Sequence, residues 1–217
     1  MYKRQIKNSI ESLIHNQYGE LIHYDSVATF TDGVTQEDVN TLEDDLSADG
    51  HIDDFLLNCG YSDDVKSSED TETAEYVIVD DKNAFKDYVT LRTRRKHNDV
   101  ILGDSGVVIT EKLSKDLGVK KGDKITVTSS AGKHAEAVVS GITEMYVNHY
   151  VYISTEYYNE LFGNIPEHNR VLIKISGDVN ETESYMGDEY LSRDYIKGVS
   201  FLNANVTRFE NMIHVSY

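Results

Sequence analysis

Residues 107–127 read VVITEKLSKDLGVKKGDKITV and place two strands and a helix in close succession. The first four residues form a short β-branched run, and residues 111–117 put leucines on one helical face. Gly118 can adopt the left-handed conformation that ends a helix, and Gly122 begins a turn into a strand at 124–129. We therefore predict a compact β-α-β segment in the middle of the chain.

The flanking sequence predicts further elements by the same criteria. Thr35, with Asp38 three residues later, has the pattern of a helix capping box. Thr155 is expected to cap a helix that Gly163 closes, and the acidic stretch 62–73 predicts an exposed loop or a long hairpin tip. Strand signals occur at 21–30, 51–60, 75–80, 134–140, 146–153, 171–175 and 199–209, and helical periodicity at 3–16, after Thr35, after Thr155 and at 179–193.

This order of elements predicts an α+β fold with a discontinuous domain. The N- and C-terminal parts would form a split βαβ-type (porter-like) α/β unit, interrupted by a smaller β-rich unit. We assign residues 21–95 and 168–217 to the α/β subdomain and residues 96–167 to the insertion.

Three segments resemble the extracytoplasmic, MacB-like core domain of FtsX-like ABC-transporter permeases of the large Gram-positive type. The first is 107–127, with its Leu-Gly-Val and Gly-Asp steps. The second is 146–163, which contains YVNHYVYIS, EYY and LFG. The third is 9–25, which contains SIE, QYGE and HYD and is similar to the point where such permeases leave their first membrane helix.

The resemblance implies a non-enzymatic domain on the extracytoplasmic side of the cell membrane, held between two membrane helices. Residues 1–20 would be a stalk helix continuing from the first of them, so we expect a membrane span just before Lys3 and another soon after Tyr217. Its implied partners are a cytoplasmic ATP-binding subunit, a second permease copy, and an extracellular peptide, lipoprotein or protein. ATP-driven motion would reach the domain through the membrane part, for export, extraction or cell-wall-related work.

The charge distribution restricts the partners further. The chain carries a net charge of −17. Between Asp32 and Asp81 there are seventeen acidic residues and one base, Lys66, so that stretch carries −16. Such a surface repels nucleic acid and anionic lipid, whereas cationic peptides and metal ions stay compatible with it.

Residues 45–56 follow the pattern of a calcium-binding loop for eleven positions. The twelfth position should be a bidentate acid and is Leu56, which removes the ligand that completes the shell. The competing interpretation is a helix end, a glycine cap and a strand. The matching positions are the oxygen ligands Asp45, Ser47, Asp49 and Asp53, the turn residue Gly50 and the core anchor Ile52.

Other chemical motifs are missing from the sequence. It contains no glycine-rich phosphate loop and no Gly-x-Ser-x-Gly nucleophile elbow. Cys59 lies in an apolar, acid-flanked setting that favours a buried, inert thiol, and His149 suits packing or hydrogen bonding better than metal ligation. Arg92 to Lys96 form a basic cluster of the kind found on solvated faces. We therefore predict no catalytic, cofactor or metal site.

Two alternative functions remain open from sequence. A free-standing secreted or surface binding protein, with calcium as a candidate ligand, would need no membrane segments at either end. A hydrolase is the weakest alternative, because its site would have to assemble from residues that no motif connects.

Overall fold

A computed structural model describes residues 12–202, which divide into two compact units. Residues 12–57 and 169–202 form the first unit, and residues 58–168 form the second. Within the described range, no helix is both long enough and apolar enough to cross a bilayer. In chain order the elements are a π-helix Asn16–Leu21, β1 Ser26–Phe30, α1 Gln36–Ala48, β2 Ile52–Lys66, β3 Thr71–Val79, α2 Lys82–Phe85, β4 Val107–Thr110, α3 Glu111–Asp116, β5 Lys124–Thr128, β6 His134–Thr143, β7 Tyr150–Ser154, α4 Thr155–Phe162, β8 Arg170–Ile175, α5 Val179–Leu191 and β9 Ile196–Phe201.

The first unit is a split βαβ arrangement. Its strands follow the order β2-β8-β1-β9, and β1 pairs antiparallel with both β8 and β9. Strands β8 and β9 therefore run parallel on either side of β1, and α5 connects them. This confirms the discontinuous α/β fold class. Helices α1 and α5 cover the sheet with a shared apolar core that includes Ala28, Phe30, Leu42, Leu46, Val171, Ile173, Met186 and Tyr190.

Helix α1 begins where the sequence predicts. The Thr35 hydroxyl accepts from the Asp38 backbone N at 3.2 Å, and the Asp38 carboxylate accepts from the Thr35 backbone N at 2.9 Å. This reciprocal capping satisfies two N–H groups that the helix itself leaves unpaired.

The second unit is a closed sheet of six strands. Its order is β2-β3-β7-β4-β6-β5, and β5 pairs back with β2 at Thr126 and Lys66. Pairs β3–β7 and β4–β6 are parallel and the others antiparallel. Gly118 follows α3 with a φ of 67°, as its predicted cap requires. The core includes Val65, Tyr76, Ile78, Val107, Ile109, Leu113, Leu117, Ile125, Val127, Val139, Val151, Ile153 and Tyr158.

The inserted unit differs from the predicted one in extent. It begins at residue 58 rather than 96, and it is not smaller than the first unit. The difference arises because β2 and β3 form a long hairpin whose strands pair with β5 and β7. The acidic stretch 62–73 is mostly strand, and only residues 67–70 form the tip.

Some predicted elements lie partly outside the described residues. Of the helix predicted at 3–16, the structure describes residues 12–15 as helical, followed by the π-helix. Of the strand predicted at 199–209, it describes the part within β9.

Candidate functional site

In the first unit, β1 begins beside the end of β9. Ser26, the first residue of β1, lies opposite Phe201, the last residue of β9. One residue outside this pair, the Leu202 backbone N donates to the Asp25 carbonyl O at 2.9 Å. This hydrogen bond joins the residue just before β1 to the residue just after β9.

Asp25 also fixes this point to β8. Its backbone N donates to the Ile173 O at 2.8 Å, and its carboxylate accepts from the Ile175 N at 2.8 Å. Together with the Leu202 contact, these bonds hold the start of β1 against both neighbouring strands. Asp25 is thus bonded to residues of both segments that flank β1 in the sheet.

A cleft of about 500 Å³ opens beside Asp25. Its walls come from the segment before β1, the N-terminus of α5 and the residue after β9. The lining combines tyrosine rings, acids and an exposed glycine turn: Tyr18, Tyr24, Asp25, Gly177, Asp178, Val179, Asn180 and Leu202.

The suspected calcium loop forms a different structure. Residues 45–48 are the last turn of α1, and Asp49 is its C-cap residue. The Asp49 carboxylate accepts from the His51 backbone N and Nδ1, both at 2.9 Å. It also accepts from the Tyr190 hydroxyl at 2.8 Å and the Tyr185 hydroxyl at 3.2 Å. The helix-end interpretation therefore fits this segment, with both Asp49 oxygens held by protein donors.

The other candidate calcium ligands either bond to protein groups or lie exposed in the next strand. The Asp45 carboxylate pairs with Arg193, whose guanidinium also donates to the Tyr195 hydroxyl at 2.9 Å. The Ser47 hydroxyl donates to the Glu43 carbonyl O at 2.7 Å. Asp53 is exposed at the start of β2. The structure does not bring these oxygens to a common point.

A second polar group lies where the parallel strands β3 and β7 end. The Asp80 carboxylate accepts from His168 Nε2 and from the Thr155 hydroxyl. The bond from His168 is the main reason that the pKa of Asp80 is lowered. His168 and Thr155 bond to different oxygens of this carboxylate, so Asp80 links the two side chains.

This contact also corrects the predicted cap of α4. Ser154, not Thr155, caps the helix, because its hydroxyl accepts from the Tyr157 N at 3.2 Å. The Thr155 side chain is directed to Asp80 instead.

The basic cluster at 92–96 is only partly solvated. Arg95 and Lys96 are exposed, but Arg92 Nε donates to a Glu144 oxygen at 2.8 Å, and these side chains are 13% and 2% exposed. The guanidinium of Arg94 lies 4.7 Å from the centre of the Tyr146 ring. The predicted solvated face is therefore wrong for Arg92, which ties the loop after α2 to the end of β6.

One group of potential metal ligands occurs among the described residues. Glu72, Asp116 and His149 have ligand-type atoms that all lie within 4.8 Å of one another. Sequence motifs could not find this group, because its members are far apart in the chain. Cys59 is buried and is not part of a disulfide, as the sequence predicts.

No family model matches the chain, and no curated protein matches it. Among solved structures, it is similar to the periplasmic region of MacB from Actinobacillus actinomycetemcomitans, at 12% identity and a TM-score of 0.48, over 91% of this chain and 98% of that one. It is also similar to the extracellular domain of the noncanonic ABC-type transporter YknZ from Gram-positive bacteria, at 11% identity and a TM-score of 0.44, over 82% and 98% of the two chains. The first of these structures is a periplasmic region, and the second is an extracellular domain of a transporter.

Proposed function

We propose that this chain is the extracytoplasmic domain of an FtsX-like ABC-transporter permease. The observation that carries the proposal is the hydrogen bond between Asp25 and Leu202, which puts the residue before β1 beside the residue after β9. A domain inserted between two membrane helices needs its two connections at neighbouring positions. The three sequence segments that resemble FtsX-like permeases indicate the class of protein, because those permeases carry such an inserted domain.

The same geometry supports a role in transmitting motion. Strand β1 lies between β8 and β9, so a force on β1 acts on the middle of the sheet. The π-helix before it is anchored by the buried Gln17 and Leu21, and only residues 22–25 separate it from β1. ATP-driven movement of a stalk would therefore reach the first unit through a short connection.

The partners follow from this role. A cytoplasmic ATP-binding subunit would supply the motion, and a second permease copy would complete the assembly. The domain would act on a peptide, lipoprotein or protein outside the membrane by binding and displacement rather than by catalysis. The net charge of −17 favours a basic partner over an anionic one.

Membrane-impermeant cysteine labelling of the natural full-length protein tests the location. The background variant is Cys59→Ser, and the reporter is Ala131→Cys in the exposed turn between β5 and β6. We expect the reporter to react in intact cells and a cytoplasmic control protein to react only after lysis. Labelling of the reporter that also requires lysis would contradict an extracytoplasmic domain.

Hydrogen exchange of the complete transporter tests the transmission of motion. We expect ATP to change the exchange of amides in β1 and β9, and Asp25→Ala to reduce that change. Asp178→Ala is the matched control, because it removes the α5 N-cap in the same cleft without touching the Asp25 bonds. An equal reduction in both variants would mean that destabilisation, not coupling, is responsible.

A further inference from the structure

Three side chains converge in the second unit from separate segments of the chain. Glu72 lies at the start of β3, Asp116 ends α3, and His149 immediately precedes β7. The side chains are 36%, 27% and 16% exposed, so the group is half-buried and open to solvent on one side. Such a position can combine protein ligands with a water molecule.

The separations within the group match those of metal ligands. His149 Nε2 lies 3.5 Å from an Asp116 oxygen and 4.0 Å from a Glu72 oxygen, which is longer than a good hydrogen bond. A tetrahedral Zn²⁺ binds nitrogen and oxygen at about 2.0–2.2 Å, so its neighbouring ligand atoms lie roughly 3.3–3.6 Å apart. Small side-chain adjustments would bring all three atoms to these distances.

The backbone holds the histidine in position. The His149 carbonyl O accepts from the Glu75 N at 2.8 Å, which fixes this residue beside β3. Asn148 has a φ of 66°, a left-handed conformation that turns the chain just before His149. The Nδ1 atom is buried without a hydrogen-bond partner among the described residues, so the polar environment of the ring is on the Nε2 side.

The local charge also suits a cation. The Lys112 ammonium donates to an Asp116 oxygen at 2.5 Å, so a positively charged group already lies at this carboxylate. Lys112 is 63% exposed, so its flexible side chain can move into solvent when a cation takes its place.

We propose that Glu72, Asp116 and His149 bind a divalent transition-metal ion, with Zn²⁺ as the ion to test. One imidazole and two carboxylates provide three ligands, and water completes the tetrahedron. The ion would tie the acidic hairpin to α3 and to the start of β7. This inference rests on the second unit alone and does not depend on the proposed transport role.

Calorimetric titration of the metal-free chain with Zn²⁺ tests the site. We expect saturable binding with one ion per chain. Loss of a residue outside the ligand shell typically weakens metal binding about 10–100-fold, so His149→Ala and Glu72→Gln should each weaken it by at least about tenfold. Two changes in the same unit serve as matched controls, His134→Ala and Glu136→Gln, and both should bind Zn²⁺ like the wild type.

Co²⁺ provides a second, spectroscopic measurement. Tetrahedral Co²⁺ absorbs visible light more strongly than hydrated Co²⁺, and Zn²⁺ should displace this signal. Glu72→Gln keeps the size of a half-exposed side chain, so its loss of binding with an unchanged melting curve separates ligation from misfolding. The proposal is overturned if the wild type shows no saturable binding, or if ligand and control variants bind Zn²⁺ equally well.

Discussion

Replacing Asp49 with alanine should destabilise the first unit. The Asp49 carboxylate accepts two hydrogen bonds from His51 and one each from Tyr190 and Tyr185. Tyr190 is 1% exposed, so water cannot readily replace its acceptor. A buried hydroxyl left without a partner costs about 1–3 kcal/mol, and a hydrogen bond to a charged group contributes about 1.5–3 kcal/mol. We therefore expect Asp49→Ala to lower the free energy of unfolding by about 2–4 kcal/mol.

Urea unfolding and calorimetry would measure this loss. For a chain of this length, each kcal/mol lowers the melting temperature by about 2–4 °C. Asp53→Ala is the matched control, because it removes an equal charge from an exposed residue of the same segment. It should change stability by no more than about 0.5 kcal/mol.

A double-mutant cycle isolates the Tyr190 contact. Tyr190→Phe should destabilise the wild type, since it removes a donor from a charged acceptor. In the Asp49→Ala background the same change should cost little, because the hydroxyl no longer has its partner. Additive effects of the two substitutions would refute the contact as the source of the stabilisation.

The pH dependence has a defined sign. Burial favours the neutral acid, but the hydrogen bonds from His51, Tyr190 and Tyr185 outweigh it and lower the pKa of Asp49. A lowered folded pKa gives stability that is complete above the unfolded value of about 3.9 and is lost as pH falls through the folded value. The cost of Asp49→Ala should therefore be constant from neutral pH to about pH 5 and decrease below about pH 4.

Calcium distinguishes the two interpretations of the segment. If the segment bound calcium, a calcium concentration of 100 times the dissociation constant would raise the free energy of unfolding by about 2.7 kcal/mol. We expect millimolar calcium to leave the melting temperature unchanged. A rise that both Asp49→Ala and Asp53→Ala abolish would establish a calcium loop instead of a helix end.

Three further predictions concern packing, charge and nucleotide. A methyl group at Gly141 would lie 2.6 Å from a Val100 carbon, so Gly141→Ala should cost about 1–3 kcal/mol in urea unfolding, whereas Gly103→Ala, with open space around it, should be nearly neutral. Arg92→Met removes the cation beside the buried Glu144 carboxylate and leaves it with the Tyr146 hydroxyl, so it should cost about 3–5 kcal/mol; a loss under 1 kcal/mol would contradict the buried pair. Calorimetry with ATP should detect no stoichiometric binding, since the sequence contains no phosphate loop.

Local signals predict much of the fold. The capping box of Thr35 and Asp38 fixes the start of α1, and Gly118 fixes the end of α3, because each depends on residues within one turn. The split order of elements predicts the discontinuous unit, since short connections and apolar periodicity restrict the possible sheets. These features need no knowledge of distant contacts.

The extent of the inserted unit could not be predicted in this way. Strands β2 and β3 continue through acidic residues because most of their alternate side chains are apolar and face the core, namely Cys59, Tyr61, Val65, Ala74, Tyr76 and Ile78. Val65 is fully buried, and Tyr76 stacks on Tyr61 with ring centres 5.0 Å apart. The acidic composition of 62–73 obscured this alternation, and pairing with β5 and β7 is non-local.

The metal-ligand group was missed for the same physical reason. Glu72 and His149 are brought together by the parallel pairing of β3 with β7, in which Glu75 lies opposite Tyr150. Asp116 joins them from α3. Short motifs detect ligands that one helix or loop supplies, whereas these ligands come from three elements.

The acidic stretch 32–81 is divided between the two units and partly compensated within each. Asp45 pairs with Arg193, and Asp80 pairs with His168, so these charges are used inside the fold. The net charge of −17 remains after such pairing, because internal ion pairs do not change the total. The resulting field attracts cations and repels polyanions over about a Debye length, roughly 8–10 Å at physiological ionic strength. The same negative charge thus favours a basic partner and a metal ion at Glu72. Raising the salt concentration should weaken binding of the basic partner more than binding of the metal ion, because screening has little effect on direct ligation.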